Sequence, residues 1–398
     1  MYLKHSMLAG AVSAALFGHA QSAHATNGDQ MIGITATQWG MAGAVVAAPQ
    51  DAATMMYNPA GVAELGIEDV RFDMGFGVLN PLRKVNGIDS DSNYYLMPAG
   101  AVALKINDKM YFGVSMGGLS GMGVDFADIN TTAPGNQAFV TTKQFYKIAP
   151  GIGYKINDQW SVGGALNIDY QSLAMHFANP AGVATLPQTQ TYGYGFSLGT
   201  IFHVNDKFQL GASWIGRQKM NAFEFNTAGT PTTSGKIKFT MDAPEQYAVG
   251  AAFRPAAGWL IEADIKRIKF SDVLDHIDVE RPGGYAGAVP ARLNFGWSDQ
   301  TVYAVGVQKD LSPRTAVRFG YNYGESPIGP DDVNNNIGSL AVVEKHLSAG
   351  LTRQLGKRVA GSVSYMKAFN NEVTSNTAPQ NKIELEQNVY NLQLTYKY

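Results

Sequence analysis

The stretch 160-WSVGGALNIDYQ-171 alternates between apolar residues and residues that are small or polar. A two-residue period places the two sets on opposite faces of a β-strand, because successive side chains point to opposite sides of a sheet. The apolar face consists of Trp160, Val162, Gly164, Leu166, Ile168 and Tyr170. The stretch therefore predicts a strand with one apolar face and one small, polar face.

The same period recurs in the stretches 259–266, 315–323 and 390–398, whose second faces carry mostly small or uncharged residues with scattered charges. A soluble β-sandwich also alternates, but its outer face carries many charges. Small polar residues are typical of a barrel lumen, and an apolar face with aromatic residues near its ends is typical of a strand that faces lipid. The pattern favours an outer-membrane β-barrel over a sandwich.

The composition supports a membrane barrel and excludes several other classes. Only 16% of the 398 residues are charged, against roughly a quarter in soluble domains. The net charge is -2 and there is no basic block, which excludes nucleic acid as a partner. The chain has no Cys, so it has no disulfide, thiolate metal site or Cys nucleophile, and this suits passage through an oxidising compartment.

The first 25 residues have the features of a secretory signal peptide. Lys4 precedes the apolar stretch 7-MLAGAVSAALF-17, and the small-x-small triplet 23-AHA-25 predicts cleavage before Thr26. The alternative, a membrane anchor, requires an apolar core long enough to cross about 30 Å of hydrocarbon, and this one is too short. No later segment approaches the ~18 apolar residues of a transmembrane helix.

The turns supply a strand count. Six short polar connections interleave with seven longer loops, and three of the connections are near-copies at 106-INDK-109, 156-INDQ-159 and 204-VNDK-207. Asn-Asp is typical of tight hairpin turns. The second and third long loops are expected near 120–141 and 172–189. This arrangement predicts an all-β fold, a 14-stranded antiparallel transmembrane barrel over residues 69–398, with both ends on the short-turn side.

Residues 26–68 precede the first strand and are predicted to plug the barrel. Fourteen strands about 4.8 Å apart and tilted about 40° enclose a bore near ~28 Å, which is an open pore unless it is filled. The segment is rich in Gly, Ala and Met and contains Trp39. A disordered tail is the alternative, but such tails usually carry more charge and fewer apolar residues.

A plug that carries Asn58-Pro59-Ala60, followed by fourteen strands, resembles the FadL family of outer-membrane transporters for long-chain fatty acids and other hydrophobic compounds. The resemblance spans the mature chain. It also rests on 26-TNG-28, 40-GMAGA-44, Pro244-Glu245 before Gly250, and 318-RFGY-321 running into 325-ESPI-328. It implies a hatch that closes the barrel, and it marks Asn58, Pro59 and Ala60 as the hatch motif.

The resemblance also implies a kink in the third strand that opens the wall sideways, so that the ligand leaves into the membrane. Gly113, Gly117 and Gly118 lie in that strand, with further glycines after them. Glycine inside a strand is typical of a bulge or kink. Ordinary small residues facing the lumen are the alternative reading of these positions.

A fatty acid needs an apolar pocket and one or two donors for its carboxylate. By strand parity the inward-facing cations include Lys147, which shares its face with Phe145, and Arg318; we select these three residues as substrate contacts. The resemblance also implies a hydrophobic groove among the outer loops. Its candidate residues are Leu173, Met175, Phe177, Leu186, Met220, Phe223 and Phe225, with packing of the loops on one another as the alternative.

Nothing in the sequence points to an enzyme, a cofactor or a metal site. The four His residues of the mature chain have no ligand spacing, and no Gly-x-Ser-x-Gly elbow occurs. We therefore expect a monomeric, passive outer-membrane transporter in contact with membrane lipid and lipopolysaccharide. Two alternatives stay open: a transporter of neutral or aromatic hydrocarbons, and a surface adhesin or structural barrel.

Overall fold

The computed structural model describes residues 26–129, 137–179, 182–226 and 235–398. The predicted signal peptide, residues 1–25, lies outside this part of the chain. Within the described ranges, no helix is both long and apolar enough to cross a membrane.

The described residues form one large antiparallel sheet of fourteen long strands. In chain order these are β1 (Val70–Val85), β2 (Tyr95–Lys105), β3 (Met110–Ile129), β4 (Gln137–Lys155), β5 (Trp160–Asn179), β6 (Gly182–Asn205), β7 (Phe208–Ile215), β8 (Gln246–Phe253), β9 (Trp259–Ile268), β10 (Gln300–Ser312), β11 (Thr315–Gly324), β12 (Lys345–Gln354), β13 (Val359–Thr374) and β14 (Lys382–Lys397). Each strand pairs with the next along the chain.

The last strand closes the sheet on the first. β14 pairs with β1 from Ile383 opposite Val85 to Lys397 opposite Arg71. Closure joins the first and last strands of the sheet, as a membrane-spanning sheet requires. The predicted closed barrel of fourteen antiparallel strands is therefore confirmed.

The three near-copies at the short turns fold in the same way. The side-chain oxygens of Asn107, Asn157 and Asn205 each accept hydrogen bonds from the backbone N–H groups two and three residues further on, at 2.8 to 3.0 Å. Asn provides this local bond and so fixes each hairpin at the short-turn end.

The second and third long loops are shorter than the sequence predicted. β3 and β4 extend into the expected loop 120–141, and β5 and β6 take up almost all of the expected loop 172–189. These loop predictions were wrong because polar residues on the outer face were read as loop, whereas the wall continues as paired strand beyond the apolar belt.

The outer face of the wall is an apolar belt with aromatic residues near its short-turn edge. Exposed side chains in the middle of the belt include Phe196, Leu198 and Leu392. At the lower edge Lys309 Nζ lies 4.8 Å from the ring centre of Trp259, and Arg358 Cζ lies 4.2 Å from that of Tyr398. Lipid contacts the apolar side chains, and the interface takes the amphipathic rings.

Residues 26–68, called the N-terminal segment below, lie inside the barrel. The segment contains two short paired strands, Thr26–Asn27 and Gln30–Met31, helix α1 (Ala36–Gly40) and two 3₁₀ helices, Ala52–Met56 and Pro59–Glu64. It contacts lumen-facing glycines of the wall: a side chain at Gly163 would overlap Pro59 and Ala60, and one at Gly320 would overlap Met41 and Ala42. The small inward residues therefore make room for this backbone.

Buried carboxylates on β9 hold the same segment. Asp264 accepts hydrogen bonds from the N–H groups of Val45 and Val46 at 2.7 and 3.0 Å. Glu262 accepts those of Ala47 and Ala48 at 2.7 and 2.8 Å. These backbone groups have no helix or sheet partner, so the two carboxylates satisfy donors whose burial is otherwise costly.

Candidate functional site

The pairing of β2 with β3 stops halfway up the barrel. The two strands are in register from Lys105 opposite Tyr111 to Ala99 opposite Gly117. Above that rung, the residues of β2 pair only with β1, while those of β3 pair with β4 and, at Ser120, with Gln30 of the N-terminal segment. The described wall therefore has a gap on one side of β3.

A bulge turns β3 away from β2 at this height. The register with β4 shifts between Gly118 and Ser120, so Leu119 has no partner residue. Below the bulge buried and partly exposed residues alternate, but from Gly117 to Val124 every residue is buried. A strand that faced lipid would expose alternate side chains, so this stretch has turned into the lumen. Gly117 and Gly118 lie at the turning point, and Gly113 lies below it, where a side chain would overlap Met55.

The gap is bounded above as well as below. The N–H of Asp91 donates to the carbonyl of Asp125 at 2.8 Å, and the N–H of Asp125 donates to Ser90 Oγ at 2.9 Å. The loop after β1 thus reattaches to β3 above the bulge. The result is a window in the wall rather than an open seam.

A cavity of about 880 Å³ lies at the lower edge of this window. It is lined by Ala99 and Gly117 of the last rung and by side chains from both sides of the wall. Lys147 and Asp169 reach it from the lumen side, whereas the exposed residues Ile148, Ile168 and Tyr192 belong to the outer face. The cavity therefore connects the interior of the barrel with the surface that faces lipid.

A row of three tyrosines forms one wall of the cavity. Tyr146, Tyr170 and Tyr192 stand in register on β4, β5 and β6, with ring centres 6.3 and 5.6 Å apart. The rings are tilted or edge-to-face, with 51° and 63° between their planes, and together they present a wide apolar surface. This surface suits either an acyl chain or an aromatic ring.

Lys147 is the cation of this site, and an acidic side chain lies on the neighbouring strand. It lies opposite Gly117 on one side and opposite Asp169 on the other, and both charged side chains are buried. Neither oxygen of the Asp169 carboxylate has a hydrogen-bond partner among the described residues. Phe145 is the neighbour of Lys147 on the same face of β4. It belongs to a buried cluster with Leu119 of the bulge and Ile34 of the N-terminal segment. The structure thus brings the predicted contacts Lys147 and Phe145 to the kinked strand.

The N-terminal segment is fastened to the bulge by a buried ion pair. Asp29 accepts from Lys143 Nζ at 2.9 Å and from Ser120 Oγ at 2.6 Å. Burial opposes ionisation of Asp29, but Lys143 and the hydrogen bonds from Ser120 and Gln30 outweigh it and lower the pKa of the carboxyl. Asp29 therefore stays charged and holds the beginning of the segment against β3 and β4.

Arg318, the other predicted cation, does not line the cavity that contains Lys147. It is buried at the short-turn end of β11, where Nε donates to Gln50 Oε1 at 2.8 Å and Nη1 donates to Thr352 Oγ1 at 2.6 Å. It lines a different, smaller cavity from Lys147. Strand parity predicts that Lys147 and Arg318 both face the lumen. It does not show that they stand at different heights and on different sides of the barrel.

The outer-loop aromatics do not line an open groove in the described residues. Phe223 and Phe225 are 0% and 1% exposed and lie with Phe239 in a short hairpin, with ring centres 5.5 to 6.1 Å apart. Phe177 is buried against Phe139, 5.9 Å between ring centres. The expected exposure is absent because these side chains pack on one another in a core beneath the loops. These side chains therefore follow the alternative prediction, in which the loops pack on one another.

The motif Asn58-Pro59-Ala60 begins a 3₁₀ helix pressed against the wall. Asn58 Oδ1 accepts the N–H of Ala60 at 3.1 Å, and Nδ2 donates to the carbonyls of Val46 and Thr200 at 2.7 and 3.2 Å. Pro59 takes the first helical position, where its missing N–H costs nothing. The motif thus caps a helix and at the same time bonds the N-terminal segment to β6.

Two features of the site were missed from the sequence. Asp169 sits opposite Lys147, and only the strand register shows this. The tyrosine row could have been found by aligning the outward positions of three consecutive strands, had the register been known. In the described part of the chain, no group of three or more acidic or His side chains is placed to hold a metal ion.

A closed antiparallel barrel with an apolar belt and a filled lumen defines an integral outer-membrane β-barrel protein. The family model described as "Outer membrane protein transport protein (OMPP1/FadL/TodX)" matches residues 18–398. The chain belongs to this family, and it is an outer-membrane transporter of hydrophobic compounds and not an enzyme. No curated protein matches the sequence.

Several solved structures share the fold. The toluene transporter TodX of P. putida superposes with a TM-score of 0.74 at 16% identity, over 90% of this chain and 97% of that one. A FadL homologue of Pseudomonas aeruginosa gives 0.77 at 15% identity, over 93% and 99%. The Ralstonia pickettii toluene transporter TbuX gives 0.73 at 16% identity, over 92% and 98%.

Proposed function

We propose that this chain takes up long-chain fatty acids through its barrel and releases them sideways, through the window between β2 and β3, into the outer membrane. The observation that carries the proposal is the 880 Å³ cavity, which links buried residues of the lumen with exposed residues of the lipid face. Because one closed barrel contains both the cavity and the window, the unit that transports is a monomer, surrounded by lipid and lipopolysaccharide.

The N-terminal segment acts in this proposal as a hatch. Its backbone is bonded to Glu262 and Asp264 on β9, and the Asn58 side chain donates to the carbonyl of Thr200 on β6. The segment also packs directly on wall glycines. A straight path to the periplasm would have to displace these contacts. Exit through the window requires only that a ligand pass between Ala99 and the bulge of β3.

Lys147 selects the ligand class. A fatty acid would place its carboxylate against the Lys147 ammonium and its chain along the tyrosine row and Phe145, where each buried methylene contributes about 0.8 kcal/mol. A carboxylate in a low-dielectric site gains most from a cation that it can reach directly.

A second candidate is a neutral hydrocarbon or aromatic compound, and a specific observation favours it. Asp169 stands opposite Lys147 on the same buried face of the wall. A fatty acid would bring a second carboxylate next to Asp169, whereas a neutral ring adds no charge. TodX and TbuX, which share this fold, are described as toluene transporters.

Uptake of labelled oleate and labelled toluene by cells that carry or lack the gene separates the two. Under the fatty-acid proposal, Lys147→Met lowers oleate binding about tenfold or more, because a charge-assisted bond is lost, and leaves toluene unchanged. Asp169→Asn should strengthen oleate binding, since it removes a negative charge next to the bound carboxylate. Lys266→Met is the matched control: Lys266 lies on the lumen face of β9, over the ring of Tyr57 and away from the window.

Equal oleate uptake with and without the gene would rule out the fatty-acid proposal, and gene-dependent toluene uptake in the same cells would support the neutral candidate. If neither compound depends on the gene while cell adhesion does, the barrel is an adhesin.

A further inference from the structure

A second cavity lies at the short-turn end of the lumen, below the N-terminal segment. It measures about 140 Å³ and is enclosed by Thr37 and Gln50 of that segment and by lumen-facing side chains of β1 and β11 to β14. Four of its lining side chains are cationic, and no carboxylate of the described residues lines it. The four are Arg71, Arg318, Arg358 and Lys397.

Arg318 has N–H donors that its two hydrogen bonds do not use. Its guanidinium carries five N–H donors, and the bonds to Gln50 and Thr352 use two of them. Among the described residues, Arg318 forms no ion pair, although it is only 6% exposed. A buried guanidinium without an anion is costly, so a partner from outside the chain would be bound favourably.

The other cations of the cavity differ in their partners. Arg71 pairs with Asp73 at 2.7 Å, while Arg358 lies over the Tyr398 ring. Three carboxylates lie close to the cluster without lining the cavity: Asp51 and Asp73 near Arg71, and Asp310 near Arg318. Four cations therefore outnumber the nearby carboxylates, and all four line the cavity itself.

Uncharged donors point to the same space. The amide nitrogen of Gln50 is buried and has no hydrogen-bond partner among the described residues. Thr352 and Ser362 also line the cavity, and their hydroxyl groups share a hydrogen bond of 2.8 Å that uses only one of their two protons. An anion with several oxygens could accept from guanidinium, ammonium, amide and one of these hydroxyl groups together.

We propose that this cavity binds a small oxyanion of the phosphate class from the periplasm. Guanidinium forks match the oxygens of a phosphate, and an anion offsets the excess of one positive charge that the four cations have over the three nearby carboxylates. Free phosphate and the phosphate group of a small organic ester share this chemistry. Bound there, the anion joins Gln50 and Thr37 to five strands of the wall and fastens the N-terminal segment at its lower end. The site does not depend on which hydrophobic compound is transported.

Calorimetric titration of the full mature protein in non-ionic detergent tests this site. Inorganic phosphate and glycerol 3-phosphate are titrated separately, with sodium chloride at matched ionic strength as the reference. We expect saturable phosphate binding that weakens about tenfold or more in Arg318→Gln and in Arg358→Gln, because each loses a charge-assisted bond. Tighter binding of the ester identifies the organic source, and weaker binding identifies free phosphate.

The matched control is Arg353→Gln, an exposed cation at the same end of β12 that donates to Thr315 and does not line the cavity. It should leave binding unchanged. Arg358 lies in a short turn, so its variant keeps the proposal testable if Arg318→Gln fails to fold. Absence of saturable binding, equal displacement by chloride, or wild-type affinity in both cavity variants would overturn the proposal. Uptake of oleate or toluene is a separate readout and would not change with any of these results.

Discussion

At the scale of single residues, several polar side chains inside the barrel do not face water. They hold the backbone of the N-terminal segment in place. Asp51 is an example. Its carboxylate accepts from Thr35 Oγ1 at 2.5 Å, from Gln38 Nε2 at 3.1 Å and from the N–H of Ala53 at 3.1 Å. Burial, together with the nearby charge of Asp73, raises the pKa of Asp51 to about 6. Up to about pH 6 the folded protein therefore keeps this group protonated, in spite of its three donors.

This pKa predicts a pH dependence of stability with a definite sign. Between about pH 4 and pH 6 the folded state holds a proton on Asp51 that the unfolded chain has lost, so stability falls as pH rises through that window. Asp51→Asn stays neutral and has the same shape, so its advantage over the wild type should grow by on the order of 3 kcal/mol across the window. Unfolding in detergent at a series of pH values checks this.

Comparison with the variant cancels the titration of groups that do not interact with Asp51. A stability difference that stays constant from pH 4 to pH 8 would contradict the assignment to Asp51.

At the scale of the element, β3 is the strand that decides the path. Its lower half belongs to an ordinary wall, and its upper half lies inside the lumen because the bulge at Leu119 changes its direction. Glycines permit this turn, since a strand without side chains can approach the N-terminal segment closely. The sequence shows the run of glycines, but a straight strand could contain the same run. The kink therefore could not be predicted from the glycines alone.

Gly117→Val should narrow the window. A Cβ at this position would stand 3.4 Å from Ile34 and 3.5 Å from Ala99, so the branched side chain fits without a backbone clash and projects over the edge of the cavity. We expect slower uptake, by several-fold, with ligand affinity retained, because the pocket beyond the edge is unchanged. Time courses of uptake together with equilibrium binding measure the two effects separately.

Gly164→Val is the matched control. It adds the same atoms to β5, where the Cβ would lie 3.4 Å from Leu198 and away from the cavity. Unchanged uptake in Gly117→Val, or equal slowing in both variants, would argue against exit beside β3.

At the scale of the whole molecule, the N-terminal segment and the wall form one packed unit. Wall glycines accept its backbone, Glu262 and Asp264 bind four of its N–H groups, and Asp29 pairs with Lys143 across the bulge. Removing the segment would leave these groups facing water in a wide bore.

Deletion of residues 27–68 should therefore convert the barrel into an open channel. We expect a large, steady conductance in planar bilayers, against little or none for the intact protein. The double variant Glu262→Gln with Asp264→Asn should give intermittent openings, because amides bind the four N–H groups more weakly than carboxylates do. Glu386→Gln, which removes a carboxylate paired with Lys367 away from the segment, is the control. A deletion variant that folds and conducts no better than the intact protein would contradict the role of the segment as a hatch.

The sequence by itself determined the barrel, its strand number and its orientation, because these depend on local properties: a two-residue period and short turns with Asn at a fixed position. The membership of Lys147 in the inner face also followed from parity alone. The tertiary structure decided which inner residues meet. The pairing of Lys147 with Asp169, the separation of Arg318 into its own cavity, the burial of Phe223 and the window beside β3 all depend on strand register and on one bulge. A shift of two residues between neighbouring strands changes every such contact and leaves each side chain on the same face, so the alternating pattern could not predict them.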